Sequence, residues 1–544
     1  MAERLNTNPQ SAAGTGHQVG LRTFAARAAL LLVAMPACAA GLPKDAGPEV
    51  GAKAAVRKEI PKGSVPNIIM FATDDLNDWV GPLDSRIKAK TPNLDRLAAR
   101  GVTFLNAQAA GVFCAPARTA MFTGRHASTT GAYYTQVFHH DHPELRPLQV
   151  ALHEGGYATF GTGKLFHHPA GFADLRGWDE FHVRTAEQRE SGWPMDTWKH
   201  GAPLPNPQPY SIFTRRERSK RDKTFIEYAP LPNESEKDMA DTIRTEWAVS
   251  VLKRQHDRPF FLALGLYAPH FPNYAPQKYY DLYPLEEIQL PEIKDDDSSD
   301  LPPAAKKFYD RRKATIHDKI NGYGIMKDVL RGYLASISYA DAMLGRVLDA
   351  LDTSPERDNT VVIFWSDQGY HHGEKGQWGK HTLWERTANV PLVWAGPGIA
   401  RDAKVKATVS LIDLFPTLVE LGKLAPDPGL EGTSLAATLR DPHQAQDRKV
   451  LLCEHKAGGY TIVDNKWRYI RYADGTEELY DVVKDPNEWD NLAACPEYQA
   501  VKDEMRQAAP KAFAPPGPEE KQLRLVTEGE RFHWERKDGP GQAE

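Results

Sequence analysis

The chain has 544 residues, with 67 basic and 72 acidic side chains, a formal net charge of −5, 41% hydrophobic residues and 10% aromatic ones. At about 150 residues per domain this is two to four domains, and the composition excludes a disordered, collagen-like or disulfide-stapled chain. The near-neutral balance argues against a nucleic-acid partner held by a basic field, and no stretch reaches the roughly 18 uninterrupted apolar residues of a membrane span.

In chain order, the first segment reads as a leader. Arg22 and Arg27 precede an apolar run from Ala28 to Val33, and Ala37-Cys38-Ala39 supplies a small-residue cleavage pattern. Residues 1–40 are therefore expected to be a secretory signal, which places the mature protein in the periplasm or outside the cell. Cys38 offers a second option, lipid anchoring, although Met35-Pro36-Ala37 ahead of it is a poor lipobox. Export leaves Cys114, Cys453 and Cys495, an odd number for an oxidising compartment. Cys453 and Cys495 can bridge; Cys114 stands alone.

After a Pro/Gly/Lys-rich linker (41–64), the run Asn67-Ile68-Ile69-Met70-Phe71 ends in Thr73-Asp74-Asp75 and predicts a fully buried strand. Pro92 opens a short helix through Leu94 and Leu97, with Gly101 just past its end. Further strands are predicted at Val102–Phe104, Pro259–Leu266 and Thr360–Trp365, the last ending in Ser366-Asp367-Gln368-Gly369. Alternating strands and helices predict an α/β sheet covered on both faces, with ligands at the carboxyl ends of its strands. Two of those strands end in carboxylates, so one cleft can hold both. The polar, Pro-rich stretches 185–245 and 285–325 read as insertions that wall a pocket, and Asp295–Asp300 as a solvated acidic loop. Beyond 445, Trp467–Tyr472, a turn at Asp474-Gly475 and Glu478–Asp481 predict antiparallel hairpins. The expected organisation is a main domain over 65–444 and a smaller one over 445–544.

The chemistry centres on Cys114-Ala115-Pro116-Ala117-Arg118. Pro116 suits a first helical turn, which puts Cys114 at a helix N-terminus where the dipole favours an anion. Arg118 returns to the same face one turn later. A nucleophile, a planar cation and a positive helix end suit a tetrahedral oxyanion such as sulfate or phosphate. The residues alone also fit a buried structural cysteine beside a surface arginine.

The pentapeptide resembles the sulfatase signature C-x-P-S-R, in which the cysteine is oxidised to formylglycine (3-oxoalanine). Asn67–Asp75 looks like the family's first strand with its paired aspartates, Gly161-Thr162-Gly163-Lys164-Leu165-Phe166-His167 like its G-x-G-K-x-x-H segment, and Ser366–Gly369 like its second metal turn. Gly379-Lys380, followed by Thr382-Leu383-Trp384-Glu385, matches its late lysine motif. Pro269-His270-Phe271-Pro272 and the stretch from Glu478-Leu479-Tyr480-Asp481 to Asp485-Pro486 look most like the iduronate-2-sulfatase branch.

This resemblance implies an alkaline-phosphatase-like mixed sheet sandwiched by helices, with a C-terminal α+β subdomain carrying an antiparallel sheet. It implies hydrolysis of an O-sulfate ester, on a carbohydrate given the iduronate-2-sulfatase-like features and export, by a hydrated formylglycine at position 114. A maturation enzyme would generate the aldehyde. One Ca²⁺ would be held by Asp74, Asp75, Asp367, Gln368 and residue 114. Arg118, Lys164 and Lys380 would stabilise the sulfuryl oxygens, His167 would assist the nucleophile, and His270 or Lys380 would protonate the leaving alcohol. Ala117 departs from the usual Ser, and Gln368 stands where many relatives carry Asn or His. The alternatives are a phosphonate or phosphodiester hydrolase of the same superfamily and an inactive carbohydrate-binding relative.

Other signals are weaker. Gly163-Lys164 lacks the rest of a P-loop, and His139-His140-Asp141-His142 lacks a helical i, i+4 pair of ligands joined by a third and reads as a substrate-facing or solvated loop. His371-His372 fits either substrate contact or packing, and Asn233-Glu234-Ser235 fits a glycosylation sequon, although nothing in the sequence shows a compartment that would use it.

Overall fold

The run Asn67–Thr73 forms strand β1 with every residue buried, and its alternating side chains feed two different cores. Ile69 and Phe71 join one hydrophobic cluster, and Ile68, Met70 and Ala72 join the other. Period-two alternation makes a strand with two apolar faces the centre of a sheet covered on both sides. The computed structural model describes residues 58–83, 85–167, 172–182, 226–528 and 531–537. The expected leader with Cys38, most of the linker and the insertion up to residue 225 lie outside the described residues.

The main sheet has eight strands: β1, β2 (Gly101–Phe104), β3 (Ala158–Gly163), β4 (Glu180–His182), β5 (Phe260–Gly265), β6 (Thr360–Ser366), β7 (Leu392–Ala395) and β8 (Ala403–Val405). Their order is β8-β2-β7-β6-β1-β5-β3-β4. The run from β6 to β4 is parallel, and β7 is antiparallel to both its neighbours, so the sheet is mixed. Helices α1 (Pro92–Ala98), α4 (Ala240–Leu252) and the 27-residue α5 (Met326–Asp352) pack on the Phe71 face. Helices α2 (Cys114–Thr123), α3 (Leu148–Glu154) and α6 (Leu414–Leu421) pack on the Met70 face.

The C-terminal antiparallel sheet contains β9 (Val450–Cys453), β10 (Tyr460–Val463), β11 (Trp467–Arg471) and β12 (Glu477–Asp481), in that order. Leu451, Tyr469 and Leu479 share a cluster with Met505 of α7 (Gln499–Gln507), while Leu452, Ile470 and Tyr480 join the Met70-side core. Polar groups fix this docking. Arg468, fully buried, ion-pairs Glu488 at 2.7 Å and Glu385, and donates to Leu383 O at 3.1 Å and Gln108 Oε1 at 3.1 Å. Glu478 accepts from Trp384 Nε1 at 2.8 Å and from Tyr472 and Tyr480 hydroxyls at 2.6 and 2.7 Å.

Three expectations are corrected. The 285–325 insertion is largely helical, with Pro303–Arg312 running through a π turn at Lys313–His317 into Asp318–Gly322. Tyr309, Ile316 and Ile320 give it a buried stripe that the polar composition hides. Asp297, placed in the solvated acidic loop, is buried and ion-paired to Lys375 at 3.1 Å. Cys453 and Cys495 are both free thiols: the first is buried at the end of β9, and the second is half-buried between the 3₁₀ turns Leu492–Ala494 and Pro496–Tyr498.

Candidate active site

Four adjacent parallel strands, β6, β1, β5 and β3, end on the same side, and the chain beyond each delivers a charged or titratable residue to that edge. Thr73 of β1 is in register with Ser366 of β6, which brings Asp74 and Asp75 beside Asp367. Past β5 comes His270, and past β3 comes Lys164. The β3–β5 approach is possible because Gly163 has φ +77° and a Cβ there would stand 1.9 Å from Gly265 O. Asp75 itself has φ +60°, a backbone uncommon outside glycine that aspartate tolerates better than most residues. The Tyr333 hydroxyl of α5 holds it there by donating to Asp75 O at 2.8 Å, and Asp75 N donates to Asp367 Oδ1 at 3.2 Å.

Helix α2 enters from the Met70 face. Phe113 is extended ahead of it, Cys114 is its first residue, and Gly124 closes it in the left-handed conformation at φ +66°. The unpaired N–H end of a ten-residue helix therefore lies beside the strand-end carboxylates. Cys114 Sγ is buried and lies 2.9 Å from Lys380 Nζ, 3.3 Å from Gln368 Nε2 and 3.3 Å from Asp74 Oδ1. Lys164 ion-pairs Asp74 and lies 4.4 Å from the centre of the Tyr267 ring. Lys380 bridges both Asp75 oxygens at 2.8 and 3.0 Å, and Gln368 Nε2 also donates to Asp75. His270 Nε2 is 3.4 Å from Asp75 Oδ2, and its Nδ1 lies 2.5 Å from Phe271 O.

Electrostatics follow from this crowding. Burial raises the Asp74 carboxyl, but Lys164, His270, Lys380 and Arg118 together hold it well below the usual range. Burial pushes Asp75 up to about 7, with Asp74 and Asp367 adding to the shift and Lys380 opposing it. Burial and then Asp74 push the Cys114 thiol up to about 12, against the pull of Lys164 and Lys380. The unmodified thiol therefore stays protonated at neutral pH and is a poor nucleophile where it stands. His270 is held well below its ordinary value by burial, then Lys380 and Lys164.

The structure brings Asp74, Asp75, Cys114, Arg118, Lys164, His270, Asp367, Gln368 and Lys380 together. Arg118 sits behind the cluster: it is 1% exposed and donates to Asp367 Oδ2 at 2.7 Å, Thr73 O at 3.0 Å and the Lys164 carbonyl. Its donors grip the scaffold, so its geometry fits positioning better than contact with substrate. His167 lies further out, its ring 4.8 Å from Phe113. His371 and His372 are buried packing residues, the first bonded to Thr382 Oγ1 at 2.9 Å and the second against Tyr333 at 3.7 Å. His140 and His142 pair locally with Asp141 and Glu144. Tyr333 and Tyr267 were missed by sequence reasoning, since no motif contains them.

The donor set fits a hard cation. Among the described residues, Asp74, Asp75, Cys114 and His270 offer atoms within 4.8 Å of one another. Asp367 turns Oδ1 to the same turn through Asp75 N and Gln368 N. Gln368 Oε1 is buried without a hydrogen-bond partner; amide oxygen and nitrogen exchange by a simple flip, so either can face the carboxylates. Oxygen-rich, carboxylate-dominated sets of this kind suit Ca²⁺.

Comparison with known proteins agrees with this chemistry. A family model described as Sulfatase matches residues 66–424, and one described as N-sulphoglucosamine sulphohydrolase, C-terminal, matches residues 373–512. The chain is 35% identical to a sulfatase of Formosa agariphila over 474 residues, covering 85% of this chain and 89% of that one. It is 29% identical to iduronate 2-sulfatase of Mus musculus over 410 residues, 66% and 69% of the two chains. A solved 2-O GAG sulfatase superposes with a TM-score of 0.62 at 23% identity, covering 81% of this chain and 90% of the other, which shows the shared alkaline-phosphatase-like fold.

Proposed function

The chain belongs to the sulfatase family, whose members depend on formylglycine, and from that membership we propose a calcium-dependent enzyme that hydrolyses the O-sulfate ester of a carbohydrate. The observation that carries this reading is the meeting of Cys114, at a helix N-terminus, with two ammonium groups and three strand-end carboxylates. Position 114 is the site of the formylglycine, and Asp74, Asp75, Asp367, Gln368 and residue 114 are the calcium ligands. The modification supplies a regenerating oxygen nucleophile in place of a protonated thiol, and the ion supplies Lewis acidity and charge screening.

The chain's own residues do the rest. Lys164 and Lys380, with the α2 N-terminus, neutralise the oxygens of the sulfuryl group. Arg118 holds Asp367, Thr73 and Lys164 in register. A sugar alkoxide is a poor leaving group and needs a proton, which Lys380 carries at neutral pH while His270, held neutral, is placed to accept one. His167 packs on Phe113 and sets the approach to residue 114. The expected leader over 1–40 supports export to where a sulfated polymer is met, and a formylglycine-generating enzyme would act on residue 114. The relatives named for iduronate 2-sulfate and for glycosaminoglycan support a carbohydrate.

The test is sulfate release from sulfated mono- and disaccharides, run beside a phosphonate monoester and a phosphodiester. Sulfate esters are expected to be preferred by at least about 100-fold in kcat/KM. Preference for phosphorus substrates would transfer the chain to the hydrolase alternative, and no turnover of either by aldehyde-bearing protein would make it a silent relative.

Calcium carries a second expectation. The Asp75 carboxyl, pushed up to about 7 by burial, lies above its unfolded value of about 3.9. The stability tied to that group is full below about pH 4 and is lost as pH rises through 7. A cation removes this loss by occupying the ionised form. Chelation is therefore expected to lower Tm by several degrees at pH 8 and by little at pH 5, since an ion at 100 times its Kd adds about 2.7 kcal/mol. Equal Tm with and without chelator at pH 8 would count against a calcium site.

A further inference from the structure

Five half-buried rings adjoin the buried cluster, each from a different stretch of chain: Phe113, Tyr134, His167, His381 and His455. Phe113 precedes Cys114 directly, and its ring lies 5.4 Å from Lys380 Nζ. Tyr134 and His381 stack on it at 5.0 Å each, with interplanar angles of 27° and 24°. His455, just past β9, completes the group at 6.3 Å from Tyr134 and 6.2 Å from His381. His381 has φ +75°, a backbone that non-glycine residues adopt at a cost, and its N–H donates to Val112 O at 3.0 Å. Strain of this kind concentrates where a side chain must be aimed.

The loop carrying Tyr134 is braced from one side by residues 514–520, beyond residue 512 where the later of the two family matches ends; the Sulfatase match itself ends at residue 424. Tyr133 OH donates to Ala514 O at 3.0 Å, Gln136 Nε2 to Gly517 O at 3.2 Å, and Glu520 N to Thr135 O at 2.9 Å. Burial holds His381 well below its ordinary value and His455 at about 4, so the imidazoles are neutral at physiological pH. Aromatic faces carry negative charge that meets the polarised C–H face of a pyranose, and the tyrosine and histidine tips can bond its hydroxyls.

We propose that Phe113, Tyr134, His381 and His455 form the subsite for the sugar ring on the leaving-alcohol side, with Tyr134 as a specificity-determining residue held by the C-terminal extension. This rests on the carbohydrate sulfatase reading above. Neutral rings make the subsite a receptor for an uncharged sugar face, while the sulfuryl group is held by Lys164 and Lys380.

The test uses the full-length, aldehyde-bearing protein and a sulfated heparin disaccharide that the wild type turns over. Tyr134→Ala is expected to raise KM about five- to tenfold with kcat within about threefold, and Tyr134→Phe to recover most of the affinity. Competitive inhibition by inorganic sulfate, which needs only the sulfuryl pocket, stays at its wild-type Ki. His455→Ala, on a separate element, is expected to give the same split and serves if the Tyr134 variant does not fold. An unmoved KM, or a parallel loss of kcat and sulfate affinity, overturns the subsite. A wild type that releases sulfate from aryl sulfates but from no saccharide overturns instead the carbohydrate reading on which it rests.

Discussion

Cys114→Ser is expected to lower steady-state sulfate release by about 10⁴-fold or more while the fold survives. The side chain is fully buried, so the replacement must fit its neighbours. A serine hydroxyl is slightly smaller than the thiol and can still accept from Lys380 and Gln368 and donate to Asp74, as the sulfur does, while Lys164 Nζ lies further off at 3.9 Å. Stability should therefore change by no more than about 1 kcal/mol. Activity should not survive, because a serine ester of sulfate has no second hydroxyl on the same carbon to expel the sulfate, so the covalent intermediate persists. Two measurements decide the matter. Steady-state assay of the variant is expected to show no turnover beyond a first equivalent, and mass spectrometry of the wild-type Cys114 peptide is expected to show an aldehyde in place of the thiol. Serine activity within tenfold of wild type, or an intact thiol in fully active enzyme, would refute the assignment of residue 114.

The elements that carry the site were legible because they are built from uninterrupted apolar runs. Asn67–Phe71 and Thr360–Trp365 are short apolar runs bounded by turn residues, which read as strands buried on both faces, and each ends on an acidic turn. What the runs did not contain is register. The pairing of Thr73 with Ser366, which makes the two turns one site, is set by the whole sheet. Side chains acting over long separations were equally invisible: Tyr333 steadies Asp75 from 258 residues away, and Lys375 neutralises Asp297 from 78. The helices across 303–322 escaped notice because their buried stripe is thin and their exposed faces are highly charged. Arg118 is the most instructive case. Helical spacing correctly puts it on the face of Cys114, but spacing says nothing about depth, and the guanidinium points inward at carbonyls and a carboxylate. Phe113 and His381 flank the two motif residues Cys114 and Lys380, so their sequence neighbourhood was a usable signal; Tyr134 and His455 offered none.

Arg118→Leu is expected to be the most damaging change to the fold that leaves every ligand in place. The guanidinium is 1% exposed and shares its donors among Asp367, Thr73 O and Lys164 O, with Asp74 Oδ1 at 3.7 Å. Removing it strands buried carboxylates and two carbonyls, for an expected loss of about 3–5 kcal/mol. Lysine in its place restores the charge but not the fork, so at least one carbonyl stays unpaired, at about 1–3 kcal/mol. Activity should fall about 10²-fold or more even in the lysine variant, since Lys164 and Asp367 lose the group that aligns them. The pH dependence separates charge from packing. Burial already raises the Asp367 carboxyl in the intact protein, with Arg118 opposing; without Arg118 it rises further. A raised carboxylate loses stability as pH increases, so the Tm deficit of the leucine variant relative to wild type should be large at pH 8 and shrink towards pH 5. A deficit equal at both pH values would mean that the arginine acts by filling space, and the carboxylates at the ends of β1 and β6 would then need a different counter-charge to stay ionised in the core.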